Sequence, residues 1–167
     1  MIGVFDSGFG GLSIFREIRN HLPEYDFIYL GDSQRVPYGN RAPETVYGWT
    51  EQAVQFLFEQ GCGLIIVACH TASNVALRAI QQKYLPSSPF EKRRVLGVTI
   101  PIVEEVCHIA KKRVGILATR GTCKSNRFRD EILARRPELS IFQQPAPLLV
   151  PLIEEGYIKG EIGRAHV

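Results

Sequence analysis

The stretch VACHTAS (67–73) ends an apolar run on a cysteine and turns polar at once. A thiol inside a strand is packing. At a strand end, with a helix starting near residues 71 to 73, it stands where free backbone N–H groups and the helix dipole favour the thiolate. Cys69 is therefore the candidate reagent. Adjacent residues leaving a strand point in different directions, so His70 suits a ligand-orienting or structural role better than a cysteine–histidine pair. Upstream, DSGFGGL (6–12) sets Asp6 and Ser7 before glycines whose tight turn leaves N–H groups at the start of a helix, a ready anion site. No GK[ST] follows, and Gly8, Gly10 and Gly11 are spaced wrongly for GxGxxG, so no nucleotide loop is indicated. Asp6 also reads as an Asx-turn or cap acceptor. Cys62 follows a helix in a turn, Cys107 lies within IVEEVCHIAKK, and Cys123 starts a helix beside basic residues. With no CxxC, HxH or HExxH spacing, neither a metal site nor a disulfide framework is expected.

Elements must position these groups. The runs IGVF, FIYL, GLIIVAC, RVLGVTI and RVGILAT alternate with stretches of helical period, which predicts an α/β fold with an open, mostly parallel sheet flanked by helices. In such a sheet ligands bind beyond the carboxyl ends of the strands. Those positions hold Asp6 and Ser7; Asp32 and the PYG of Pro37, Tyr38 and Gly39; Cys69, His70 and Thr71; and Thr119 and Thr122. Small hydroxyls, a thiol and a carboxylate thus share one edge. Tyr38 either closes over a ligand or caps the sheet. The stripes Leu12, Phe15, Ile18, Leu22, then Val46, Ala53, Phe56, Leu57, then Val75, Leu77, Ile80, Tyr84 are predicted to face the core. Residues 87–94 read as an exposed connection. Residues 1–145 read as one domain whose last element is open to being supplied from outside the chain. Residues 146–160 read as the start of a second domain or a crossover, and 161–167 as a non-native tail.

At 167 residues the chain is long enough for a substantial core, and 45% apolar with 22% charged residues is an ordinary globular mixture. No apolar run approaches the roughly 20 residues that span a bilayer, and the start lacks a basic leader, so a cytoplasmic protein without a membrane partner is expected. Net charge is +3, with basic residues scattered and no interleaved aromatics, which argues against nucleic acid.

FDSGFGGL, GDSQRVPYG, VACHTAS, LATRGT and PLLVPLIEEG occur in an order and spacing that resembles the cofactor-independent glutamate racemases of the aspartate/glutamate racemase superfamily, over residues 1 to about 160. The resemblance implies two pseudo-symmetric α/β domains with the site between them, the second largely missing from these residues. It implies interconversion of L- and D-glutamate for peptidoglycan by two cysteines on opposite faces of the α-carbon, without pyridoxal phosphate or metal. Cys69 matches the first cysteine, acting on the D-enantiomer; Asp6 and Ser7 would orient the amino group and assist the thiol. Pro37, Tyr38 and Gly39 would line the pocket, and Thr71, Thr119 and Thr122 would hold carboxylates. His70 stands where the family has asparagine. The family's second cysteine, in a Cys-Thr-His segment, has no counterpart in these 167 residues. The partner implied is small-molecule glutamate, with a homodimer left open. Two other readings are a carboxylate-binding or regulatory protein without turnover and an aspartate or hydantoin racemase. A receiver-type switch lacks its phosphate loop and acidic pair.

Overall fold

A computed structural model describes residues 1–157. Its first strand, β1 (Ile2–Asp6), is buried at all five positions. That is what a central parallel strand covered on both faces requires. β1 pairs in parallel with β2 (Phe27–Gly31) and β3 (Leu64–Val67), and β3 with β4 (Arg94–Gly97), giving the order β2-β1-β3-β4. The register sets Phe5 beside both Leu30 and Val67 and Asp6 beside Gly31, so the carboxyl ends of these three strands lie level.

Helices α1 (Gly11–His21), α2 (Pro43–Glu59), α3 (His70–Val75) and α4 (Leu77–Ala79) connect these strands, the last running into a π turn at Ile80–Tyr84. After β4 come α5 (Thr99–Ile109), β5 (Arg113–Ala118), α6 (Arg120–Lys124), α7 (Arg127–Arg135), β6 (Ser140–Pro145) and α8 (Leu149–Glu154). The fold is α/β, as the alternation predicts. The strand at RVGILAT, however, does not join the first sheet. It pairs in parallel with β6 alone, in a separate two-stranded sheet. Burial explains the difference: exposure alternates along β5, with Val114 and Ile116 turned to the cluster of Val103, Phe128, Ile132 and Leu139, while Leu117 is exposed. Such a strand is covered on one face only.

The larger core lies under the first sheet, where Phe5, Ile65 and Val67 meet Val46, Val54, Leu57 and Phe58 of α2. Val46, Ala53 and Leu57 face inward as their spacing predicts. Phe56 does not, because each helical step turns about 100°, which leaves it 45% exposed beside a fully buried Leu57. The α1 stripe is also shallower than predicted. Leu12 is exposed, and Phe15, Ile18 and Leu22 are only half-buried, because α1 lies against the edge strand, where Phe15 meets Phe27 and Tyr29 at ring-centroid distances of 5.5 Å. In the third stripe Leu77 and Ile80 are buried, and Val75 and Tyr84 half-buried. The 87–94 connection is largely exposed, yet Arg93 turns inward beside the packed Phe58 and Phe90 rings and donates to the carbonyls of Phe58 and Cys62. The expected tail at 161–167 lies outside the described residues. Among the described residues no helix is long and apolar enough to cross a membrane.

The contrast within α2 is measurable by urea unfolding. Leu57→Ala is expected to destabilise the chain by about 2–5 kcal/mol through the cavity it opens, whereas Phe56→Ala should change stability by no more than about 0.5 kcal/mol. Equal losses would contradict the placement of the two side chains.

Candidate active site

At the end of β1 the Asp6 side chain is buried, and its Oδ2 accepts the N–H groups of Gly8 at 3.1 Å and Gly11 at 2.9 Å. The 7–10 loop thus wraps a carboxylate, which is the Asx-turn reading of this residue. Glycine is required where the helix begins: a β-carbon on Gly11 would sit 2.6 Å from that of Asp6. From β2, the Tyr29 hydroxyl donates to the Gly8 carbonyl at 3.2 Å, which fixes the loop from the other side. The loop so held carries Ser7, whose Oγ lies 3.2 Å from the Cys69 Sγ.

Cys69 is the N-cap of α3, and its Sγ accepts the N–H of Ala72 at 3.4 Å. The helix-start position is as predicted, but its electrostatic consequence is not. Burial, joined by the nearby Asp6 charge, pushes the thiol pKa up and outweighs the lowering by the Ser7 and Ala72 hydrogen bonds. Removal of water disfavours an anion more than one short turn of helix favours it. The surroundings of Cys69 therefore favour the thiol over the thiolate. His70 begins α3 and is open to the cavity, its ring 6.2 Å from that of Phe128 on α7. Although the side chain is accessible there, enclosure by the surrounding walls pushes the imidazole below the usual histidine range.

The threonines come together as predicted, and they do so across the two sheets. Thr71 on α3 lies 3.0 Å from Thr119 at the end of β5, and Thr119 donates to Thr122 at 3.1 Å while accepting its N–H at 3.3 Å. A hydroxyl has one proton, so Thr71 is the donor to Thr119, and the Thr122 proton is left for an acceptor in the cavity. Gly39 makes this approach possible, since a β-carbon there would lie 2.5 Å from the Thr119 Cβ.

Pro37, Tyr38 and Gly39 are not in the cavity wall, contrary to expectation. Tyr38 is buried among Phe5 and Trp49, and its hydroxyl donates to Asp32 at 2.5 Å, while Asp32 also pairs with Arg35 at 2.6 Å. It caps the sheet and supports the wall from behind.

The wall encloses about 820 Å³. One side is polar, with Asp6, Ser7, Cys69, His70, Thr71, Thr119 and Thr122; the other is apolar, from α5, β5, α7 and α8. Glu154 of α8 also lines it, a residue that strand-end reasoning missed because it arrives on a helix. It lies over the glycine loop so closely that a β-carbon on Gly8 would meet its Oε1 at 2.7 Å. Burial, then the charge of Asp6, pushes its pKa up. A second hollow beside β4, of about 600 Å³, holds Glu91, Lys92 and Arg94 and, among the described residues, no cysteine, serine, threonine or histidine. Among the described residues no group of three His, Cys, Asp or Glu side chains is placed to hold a metal ion.

No protein-family model matches the chain. It is 41% identical to glutamate racemase of Persephonella marina over 163 residues, covering 96% of this chain and 60% of that protein. It is 40% identical to glutamate racemase of Aquifex aeolicus, covering 99% and 62%. The crystal structure of glutamate racemase from Francisella tularensis in complex with D-glutamate superposes with a TM-score of 0.87 at 35% identity, covering 98% of this chain and 59% of that one. The chain therefore spans about three-fifths of the length of the curated relatives it matches.

Alkylation of Cys69 by iodoacetamide, followed by peptide mass spectrometry, should rise with pH to a midpoint above the ordinary cysteine range. Ser7→Ala should move that midpoint higher still, because it removes a donor that stabilises the thiolate; a downward shift would contradict the geometry. Gly39→Ala should destabilise the chain by about 1–3 kcal/mol in the same urea assay, since the added carbon overpacks the Thr119 contact.

Proposed function

The chain is homologous to the N-terminal part of the glutamate racemases, and from that premise we propose that its cavity binds glutamate and that Cys69 exchanges the α-proton. The observation that carries this reading is a buried thiol, hydrogen-bonded to a serine, at the junction of a glycine loop and a row of threonine hydroxyls. The thiolate takes the proton from the α-carbon, and the electron pair left behind spreads into the α-carboxylate. Hydroxyl donors fixed in advance stabilise that developing charge best where water is excluded. Ser7 stabilises the thiolate. Asp6 acts as a positioning residue through the loop it holds, and its charge suits an α-ammonium group. Inversion requires a second acid on the opposite face of the carbon. The resemblance assigns that role to a cysteine of a Cys-Thr-His segment, and among the described residues Cys69 is the single thiol in the wall. We place this activity in the cytoplasm, where D-glutamate supplies peptidoglycan, and a homodimer is the oligomer to test. The raised pKa of Cys69 also favours a second reading, a carboxylate-binding protein without turnover.

Exchange of the α-proton separates the two, with D- and L-glutamate incubated apart in D2O and followed by NMR. Cys69-dependent exchange of D-glutamate, abolished in Cys69→Ala, is the expected result. Saturable binding without exchange would leave the carboxylate-binding reading, and absence of binding would remove both.

A further inference from the structure

The cavity has an unusual charge inventory for a site that takes an acidic ligand. Among the described residues no lysine or arginine lines it, while two carboxylates, Asp6 and Glu154, do. The remaining titratable groups in the wall are Cys69 and His70. His70 is thus the one described side chain in the wall able to carry a positive charge. It sits where such a charge would act: at the first position of α3, next to the thiol, one residue before the Thr71 that begins the hydroxyl row, and open to the cavity.

Its surroundings are otherwise neutral. α5, β5, α6 and α7 present only uncharged side chains to the cavity. On α7, which places Phe128 beside the imidazole, Arg127 is paired with Glu131. Asp6 is the one charged group among the described residues that bears on the ring, and it favours the protonated form, while enclosure opposes it. With one end of the balance set by desolvation and the other by negative charge, added anionic charge in the cavity decides the state. A glutamate molecule brings two carboxylates and one ammonium.

We propose that His70 receives a ligand carboxylate as an imidazolium, so that the cavity takes up one proton with each acidic amino acid it binds. The inference deepens, and rests on, the reading of this cavity as a glutamate site. The proton comes from solvent on binding and returns to it on release. While held, it places a positive charge beside Cys69, which eases formation of the thiolate in the occupied site.

The sign of the pH dependence follows from linkage. The ligand binds the protonated form better, so the gain in affinity is complete below the free-state midpoint of His70 and is lost as pH rises through the bound-state midpoint. Full-length chain labelled at histidine Cε1 would be titrated by NMR from about pH 5 to pH 8, with and without D-glutamate, and His70→Asn would assign the resonance among the four histidines. The expected result is a His70 midpoint raised by roughly one unit or more in saturating D-glutamate. Affinity should fall about tenfold per unit of that shift across the same window, and His70→Asn and His70→Gln should both flatten this dependence. Saturable shifts of the Thr71 and Thr119 amides with the His70 midpoint unmoved would overturn the inference while leaving the glutamate site standing. Absence of any saturable shift would overturn both. The wild-type titration decides the matter even where a variant folds poorly.

Discussion

A carboxylate buried at the end of the central strand governs this site. Asp6 leaves water on folding and must find donors at once, since an unpaired buried charge is among the most expensive groups a protein can hold. The chain supplies them from the backbone that follows, through the N–H groups of Gly8 and Gly11. The path that satisfies the carboxylate also carries the Ser7 hydroxyl to the neighbouring strand end, where Cys69 caps α3. Register does the rest: because β1 and β3 run in parallel with Phe5 opposite Val67, the two polar ends meet on one side of the sheet. The serine–thiol contact is a consequence of strand pairing and of one buried charge.

The same reasoning accounts for what could be read from the sequence. Groups placed by the period of a strand and the residue just beyond it were legible. Asp6, Ser7, Cys69, His70, Thr71, Thr119 and Thr122 all line the cavity. Groups whose position depends on what packs behind them were not. Tyr38 lies in the loop well beyond β2, and its ring turns into the core against Phe5 and Trp49. Glu154 enters from α8, by a tertiary contact with Gly8 that no local pattern announces. The separate β5–β6 sheet was hidden for a related reason. A run such as RVGILAT has the composition of a buried parallel strand whether one face or two are covered, and only the exposure of Leu117 and the pairing with β6 distinguish the cases.

Protonation was the least legible property. Position at a helix start argues for a cysteine thiolate, and that argument is sound at an exposed helix end. Here the helix is six residues long and the thiol is 5% exposed with a carboxylate nearby. Desolvation therefore dominates. For proton transfer at carbon this sets a requirement: a base works best when it titrates near the working pH, so ligand and hydrogen bonds must together offset the desolvation that raises the thiol.

The neutral character of the threonine row matters for the same chemistry. Thr71, Thr119 and Thr122 offer dipoles rather than full charges, so in the proposed reaction they would bind a resting carboxylate modestly. Their proton donation would strengthen as that carboxylate took on the carbanion's electron pair. Interactions that grow toward the transition state lower the barrier, whereas a permanent cation would stabilise the resting anion as well. The row also spans both sheets, since Thr71 hangs from α3 and Thr119 from β5, with Gly39 pressed against the latter. Any shift of one sheet relative to the other by more than a hydrogen bond's tolerance would break the row before it disturbed either core. The row thus depends on how the two sheets are placed, and the bare glycine at Gly39 is what lets the two sides come within reach.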